Sequence, residues 1–182
     1  VDDYKFHIEY DENYFGKLKI YECEICNLSF VSPMPDSNKL ENYYKNIYRS
    51  NNRPHNHNYN DSEKNYLDDR NMNYIFYLTS YIDFNKIKDI FDFGAGIGDL
   101  ENLLKKKYSH LNLHCNENDE NSINILEKRG YKNYKNMNEL DKNFDLIISL
   151  HCIEHLNNLT PLYNLKNFLK PGGHFFMEVP NC

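Results

Sequence analysis

Tryptophan is absent from this sequence, and no apolar run approaches the roughly 18 residues that a membrane-spanning helix needs. A membrane partner is therefore not expected, and no signal-peptide pattern opens the chain. Positive charge is in deficit: 21 Lys and Arg face 27 Asp and Glu, a net charge of −6. Nucleic-acid surfaces cluster Lys and Arg, so a nucleic-acid partner is not expected either. The one basic cluster, Lys105-Lys106-Lys107, falls late in an expected helix, where cations complement the helix dipole. Five cysteines with a single close pair do not make a disulfide framework, so a reducing, cytoplasmic setting is expected. The wealth of Asn, Lys, Ile and Tyr, like the lack of Trp, reads as coding bias and carries no functional information. The 182 residues suffice for one ordinary α/β domain and a modest extra element.

The first third is irregular. "KLKIYECEICNLSFVSP" alternates apolar and polar residues around Cys23 and Cys26, the pattern of a short hairpin, and Pro33 and Pro35 end it. A helix follows, with Ser37 as N-cap and Leu40, Tyr43, Tyr44 and Ile47 on one face. "RSNNRPHNHNYND" is a polar, Asn-rich loop broken by Pro54. Arg49, Arg53, His55, His57 and Tyr59 within it could form a lid, although a solvated loop is the plainer reading. A long helix is expected from Ser62 to Ile82, with Tyr66, Met72, Ile75, Phe76 and Leu78 among its apolar positions. The expected division is a cap over residues 1–61 and a catalytic-type domain over 62–182.

From Lys86 strands and helices alternate. "IKDIFDF", "LNLHCN", a weak run near Tyr131 to Tyr134, "FDLIISL" and "HFFMEVP" read as strands. Between them "GDLENLLKKKY", "ENSINILEKRG" and "TPLYNLKNFL" read as helices, the last with Thr160 capping and Pro161 in the first turn. This alternation predicts an α/β, doubly wound, mostly parallel Rossmann-like sheet with helices on both faces, plus the small N-terminal hairpin and helix. Such sheets bind ligands beyond the carboxyl ends of their strands. The first strand runs into "FDFGAGIGD", whose Gly94, Gly96 and Gly98 give a tight turn, close approach to main chain and a helix start. The spacing is G-x-G-x-G, not the G-x-G-x-x-G of dinucleotide binders. Glu117 ends the second strand, 19 positions beyond Gly98, where an acid can accept both hydroxyls of a ribose.

"DIFDFGAGIGDL", Glu117, "FDLIISLHCIEHL" and "LKPGGHFFMEVPN" together resemble the class I S-adenosylmethionine-dependent methyltransferases, over roughly Lys86 to Asn181. The resemblance implies S-adenosyl-L-methionine as cofactor and methyl transfer to a small-molecule acceptor. It implies that Gly94, Ala95, Gly96 and Gly98 line the cofactor's methionine and ribose. Asp92 would orient that loop or meet the amino group, Glu117 with Asn118 would hold the ribose, and Met137 and Asn138 would flank the adenine. The leader "YECEICNLSFVSPMPDSNKLENYYKNIY" is similar to one preceding many bacterial methyltransferases of sugar, capsule and secondary-metabolite pathways. In that leader C-x-x-C-G pairs with a second C-x-x-C to hold zinc. Here Asn27 replaces the glycine and no second pair precedes Cys23, so no metal site is expected and a degenerate knuckle is the preferred reading.

Catalytic candidates follow the fourth strand in "SLHCIEHLNN". His151, Glu154 and His155 would share one face of a helical backbone. Imidazole suits a general base, with His151 the first choice and His155 the second. The stretch is similar to the E-x-x-E-H of ubiquinone-biosynthesis O-methyltransferases, which holds a metal, but His151 stands in place of the first acid. A structural brace is the third reading of the trio. A cofactor-binding or partner-binding module without catalysis is the alternative for the whole chain, and a nicotinamide dehydrogenase fails on glycine spacing. Relatives of this kind carry two more strands after "MEVPNC", so a longer natural protein, or a partner such as a second copy in a homodimer, is expected to cover that sheet edge.

Overall fold

The computed structural model describes residues 4–12, 14–48 and 61–180. Arg49, Arg53, His55, His57 and Tyr59 lie outside the described residues. Two compact units emerge, Val1–Tyr43 and Tyr44–Cys182, so the structural division falls earlier in the chain than residue 61.

The smaller unit is a three-stranded antiparallel sheet. β2 (Gly16–Cys23) and β3 (Ser29–Val31) make the expected hairpin, pairing Ile20 with Val31 and Glu22 with Ser29. β1 (Tyr4–Glu12) pairs with the other edge of β2, an element the sequence pattern did not announce. Between β2 and β3, Asn27 adopts φ 59°, a left-handed conformation that glycine adopts without steric penalty. α1 (Ser37–Asn46) carries Leu40, Tyr43 and Tyr44 half-buried on one face, as the periodicity predicts, and Ile47, also half-buried, follows its last residue. Its cap is Asp36 rather than Ser37: the Asp36 carboxylate accepts from the main-chain N–H groups of Asn38 and Lys39 at 3.0 and 3.1 Å. A carboxylate one residue earlier reaches those orphan donors and also suits the helix dipole.

The larger unit opens with α2 (Asp61–Tyr81). Its inner stripe is Leu67, Asn71, Tyr74, Ile75 and Leu78, whereas Met72 and Phe76 point outward and are exposed. A five-stranded parallel sheet follows in the order β6-β5-β4-β7-β8, where β4 is Asp89–Phe93, β5 Asn112–Asn116, β6 Lys132–Asn133, β7 Phe144–Leu150 and β8 Leu169–Glu178. Three helices alternate with them: α3 (Asp99–Lys107), α4 (Glu120–Lys128) and α5 (Thr160–Leu165). Thr160 is the first residue of α5, not its cap, and its N–H is taken by Asn158 Oδ1 at 2.9 Å. The Pro-Gly-Gly run is part of β8 and not a turn before it.

Strand alternation builds two cores. Ile90, Leu113, Leu146 and Ile148 pack with Ile75, Leu78, Leu100 and Leu104 from α2 and α3. Phe91, Phe93 and Ile147 pack on the opposite face with Leu165 of α5. Central strands covered on both faces read as near-continuous apolar runs, which is why "LIISL" was recognisable.

Candidate active site at the carboxyl ends of the strands

After β4 the chain turns toward β5 and β6. After β6 it crosses back to β7 on the other side of β4. The connections leaving β4 and β7 therefore run in opposite directions, the switch point at which open parallel sheets bind ligands.

The glycine turn follows β4. Gly94, Gly96 and Gly98 all have left-handed φ, at 90°, 58° and 77°. Gly94 N–H and Ala95 N–H both donate to Asn116 O, at 2.9 and 3.0 Å, tying the turn to the neighbouring strand tip. Glu117 completes the link. Its Oε2 accepts from Gly96 N–H at 2.8 Å, and its Oε1 accepts from Asn118 and Asp119 N–H at 2.8 and 2.9 Å. Asn118 is exposed, and Asp119 caps α4 by accepting from Ser122 N–H. Gly94 and Gly98 also answer to the chain's own packing. A Cβ on Gly94 would lie 2.6 Å from Cys152 Sγ, and one on Gly98 2.7 Å from Leu126 Cδ2. The thiol of Cys152 thus joins the loop after β7 to the loop after β4. Burial, then the carboxylates of Glu117, Asp92 and Glu154, push its pKa up to about 12, so it is a packed thiol and not a nucleophile.

Beneath the turn, Asp92 is 5% exposed and its Oδ1 has no hydrogen-bond partner among the described residues. Met137 is half-buried and Asn138 exposed in a short helical turn after β6, where Asn136 Oδ1 accepts the N–H of Asn138 at 3.0 Å.

His151, Glu154 and His155 follow β7, and a loop with one 3₁₀ turn, rather than an α-helix, brings them together. His151 has φ 50°, a strained setting for a residue with a Cβ, and residues 153–155 form a single 3₁₀ turn. Glu154 Oε1 lies 3.8 Å from His151 Nδ1 and 3.9 Å from His155 Nε2. Two residues that the sequence did not single out join them. Glu178 ends β8, and Oε1 of its side chain lies 3.1 Å from His151 Nε2. Tyr74 of α2 donates its hydroxyl proton to the same Glu178 oxygen at 2.7 Å and lies 3.3 Å from His151 Nε2. Both neighbours of Nε2 therefore act as acceptors, so neutral His151 carries its proton on Nε2 and its lone pair on Nδ1. Tyr44 Oη sits 2.8 Å from His155 Nδ1. Burial lowers the pKa of His155, Glu154 partly opposing it, so that imidazole stays neutral. Glu178 could have been noticed as an acid at a strand tip, but Tyr74 reaches it only through the packing of α2. No group of three or more His, Cys, Asp or Glu among the described residues is disposed to hold a metal ion. No helix among them is long and apolar enough to cross a membrane.

The family described as "Methyltransferase domain" matches residues 40–182, and the chain belongs to it. Solved structures of related fold include StiE O-MT, at 18% identity over 74% of this chain and 50% of that one, with TM-score 0.56. The plantazolicin methyltransferase BpumL, solved in complex with SAH, gives 18% identity, 76% and 56% coverage, and TM-score 0.56. An O-methyltransferase of a trans-AT PKS multienzyme from Brevibacillus brevis, in complex with S-adenosyl-L-homocysteine, gives 16%, 59%, 39% and 0.51. The chain spans about half the length of these structures or less. No curated protein matches the sequence significantly.

Proposed function

We propose that this chain forms the cofactor-binding core of an S-adenosyl-L-methionine-dependent methyltransferase whose acceptor is a small molecule. The observation that carries the reading is the joint between the glycine turn and Glu117, at the tips of adjacent parallel strands, above a buried carboxyl with an unpartnered oxygen. Each part answers to a part of that cofactor. Bare main chain at Gly94, Ala95, Gly96 and Gly98 admits a ligand against the backbone. Glu117, with Asn118 beside it, accepts from the ribose hydroxyls. Met137 and Asn138 flank the adenine, and Asp92 faces the amino-acid end.

Once bound, the sulfonium supplies an electrophilic methyl group with its own leaving group. The chain's tasks are to align the acceptor and to take its proton, which together account for most of what such a site must supply. His151 Nδ1 is the base, its tautomer set by Glu178 and Tyr74. Glu154 stabilises the imidazolium as it forms. Neutral His155, held by Tyr44, is a second contact for the acceptor. The resemblance of the N-terminal leader favours a sugar, a glycan precursor or a related metabolite as the source of the accepting hydroxyl, in the cytoplasm.

Gly94 and Gly98 are demanded by internal packing as well. That favours, as a second reading, a module that binds cofactor or partner without turnover. Calorimetry with S-adenosylhomocysteine decides the first point. Micromolar binding, weakened at least about tenfold by Glu117→Ala, supports the site; equal binding by both proteins rejects it. Binding without methyl transfer to any hydroxylated acceptor favours the second reading.

A further inference from the structure

The inner stripe of α2 changes character along its length. Toward its carboxyl end Ile75 and Leu78 join the apolar core. Toward its amino end the stripe turns polar through Tyr74 and Asn71, and Arg70, one helical turn before Tyr74, shares that side of the helix. α2 also runs antiparallel to the strands. Just past its carboxyl end Phe84 stacks on Tyr108, the residue that ends α3 at the amino edge of the sheet, with ring centroids 5.0 Å apart. Tyr74 already reaches Glu178, the last residue of β8, at 2.7 Å. Arg70 stands about 6 Å further along the helix axis, past the carboxyl tips of the strands, where such sheets bind ligands.

Neither Arg70 nor Asn71 is answered within the described residues. Arg70 is half-buried, and its Nε is buried with no hydrogen-bond partner. No described carboxylate forms an ion pair with it. Glu178 is engaged by Tyr74 and His151, and Glu154 lies between the two imidazoles. Asp68 and Asp69 are exposed. Asn71 is 5% exposed, and its amide makes no hydrogen bond to a described residue. A guanidinium drawn out of water without a counter-charge is costly, and native structures pair such groups. Nε and the adjacent Nη present two parallel N–H donors, the fork that fits a carboxylate or a phosphate. The Asn71 amide adds donors one residue on.

We infer that Arg70, with Asn71, takes an oxyanion carried by the acceptor, a carboxylate or a phosphate, and so sets the acceptor's hydroxyl against His151. The inference rests on the proposed methyltransferase reading and narrows its acceptor to an anionic one. Arg70 is a specificity residue and not a base. It anchors the end of the acceptor that does not react, and such remote binding aligns the end that does.

Nuclear magnetic resonance of the full chain, isotopically labelled at its nitrogens, tests this with inorganic phosphate and acetate as probes at fixed ionic strength. The Arg70 Nε–H signal, identified by its loss in Arg70→Lys, should shift saturably with at least one of the two anions and not with chloride. The tighter of the two identifies the oxyanion. Arg70→Gln, followed through the main-chain signals of Asn71 and Tyr74, should bind that anion at least about tenfold more weakly. The variant should melt no lower than the unaltered protein, because an unpaired charge has been removed, and should keep its affinity for S-adenosylhomocysteine. No saturable shift with either anion overturns the inference. So does an equal shift with chloride, or anion affinity untouched by Arg70→Gln. A melting temperature lowered by Arg70→Gln overturns it too, since the side chain then serves packing. Each of these leaves S-adenosylhomocysteine binding, and with it the functional reading, in place. If S-adenosylhomocysteine does not bind, the functional reading falls and the inference with it.

Discussion

Asp89 and Asp92 stand three residues apart on β4 and meet opposite surroundings. At the amino end, burial works against the charge of Asp89, yet hydrogen bonds from Asn112, Lys142 and Lys170, at 3.0, 3.1 and 3.1 Å, outweigh it and hold the carboxyl far below its ordinary pKa. Asp145 beside it is lowered in the same way: burial opposes, and the main-chain N–H groups of Asp89 and Lys88 with Lys170 prevail. At the carboxyl end, burial first and then Glu101 raise Asp92, and no cation pairs with it among the described residues. One end of the sheet pairs Asp89 with Lys142 and Lys170, and Asp145 with Lys170. The other keeps buried acceptors open. The contrast separates carboxylates answered by lysines from a buried carboxyl with an unpartnered oxygen among the described residues.

The sharpest way to break this contrast is Gly94→Ala. The new methyl would overlap Cys152 and force φ 90° on alanine, so we expect a loss of about 3 kcal/mol in denaturant unfolding, with cofactor binding lost too. Gly172→Ala, with φ 76° but open space around its Cβ, should lose only about 1 kcal/mol. Next in size, His151→Gln should lower methyl transfer by about a hundredfold, equivalent to about 2.7 kcal/mol, with S-adenosylhomocysteine affinity and melting temperature unchanged. Glu178→Gln should give a smaller loss and a shifted pH–rate profile, because the tautomer is no longer fixed.

At the closed end the effect is on stability alone. Asp89→Asn should destabilise by about 2 kcal/mol at neutral pH and leave ligand binding intact. The folded pKa of Asp89 lies below its ordinary value of 3.8, so its contribution is complete above that value and disappears as pH falls below it. The variant should therefore show a shallower acid limb in stability against pH. The smallest effect belongs to the open end. Asp92 and Glu101 have folded pKa values raised above 3.8 and 4.5, so the folded state binds more protons and stability declines as pH rises past those values. Glu101→Gln should flatten that decline and gain about 1 kcal/mol at neutral pH, with no difference in acid, as read by urea unfolding across pH.

Much of the core was readable because strand patterning is local. "FDLIISL" marks β7 to the residue, Gly130 stops α4, and the turn after "FDF" lies at the sheet's carboxyl edge as its spacing implies. Glu101 was not readable. Within "DLENLLKKK" it looks like any solvent-facing acid, and only the seating of α3 on β4 buries it. Tyr74 and Glu178 are 104 positions apart, and no spacing rule links them. The clustering of His151, Glu154 and His155 was readable from their spacing, but not the left-handed residue and 3₁₀ turn that bring them together.

The sequence by itself determined the alternation of strands and helices, the glycine turn and the acid at the neighbouring strand tip, because each depends on residues close in the chain and on backbone freedom at named positions. Tertiary structure alone decided which carboxyls are paired and which are left open, and which tautomer His151 holds. Those properties depend on burial and on charges brought from distant strands, and neither is written in local order.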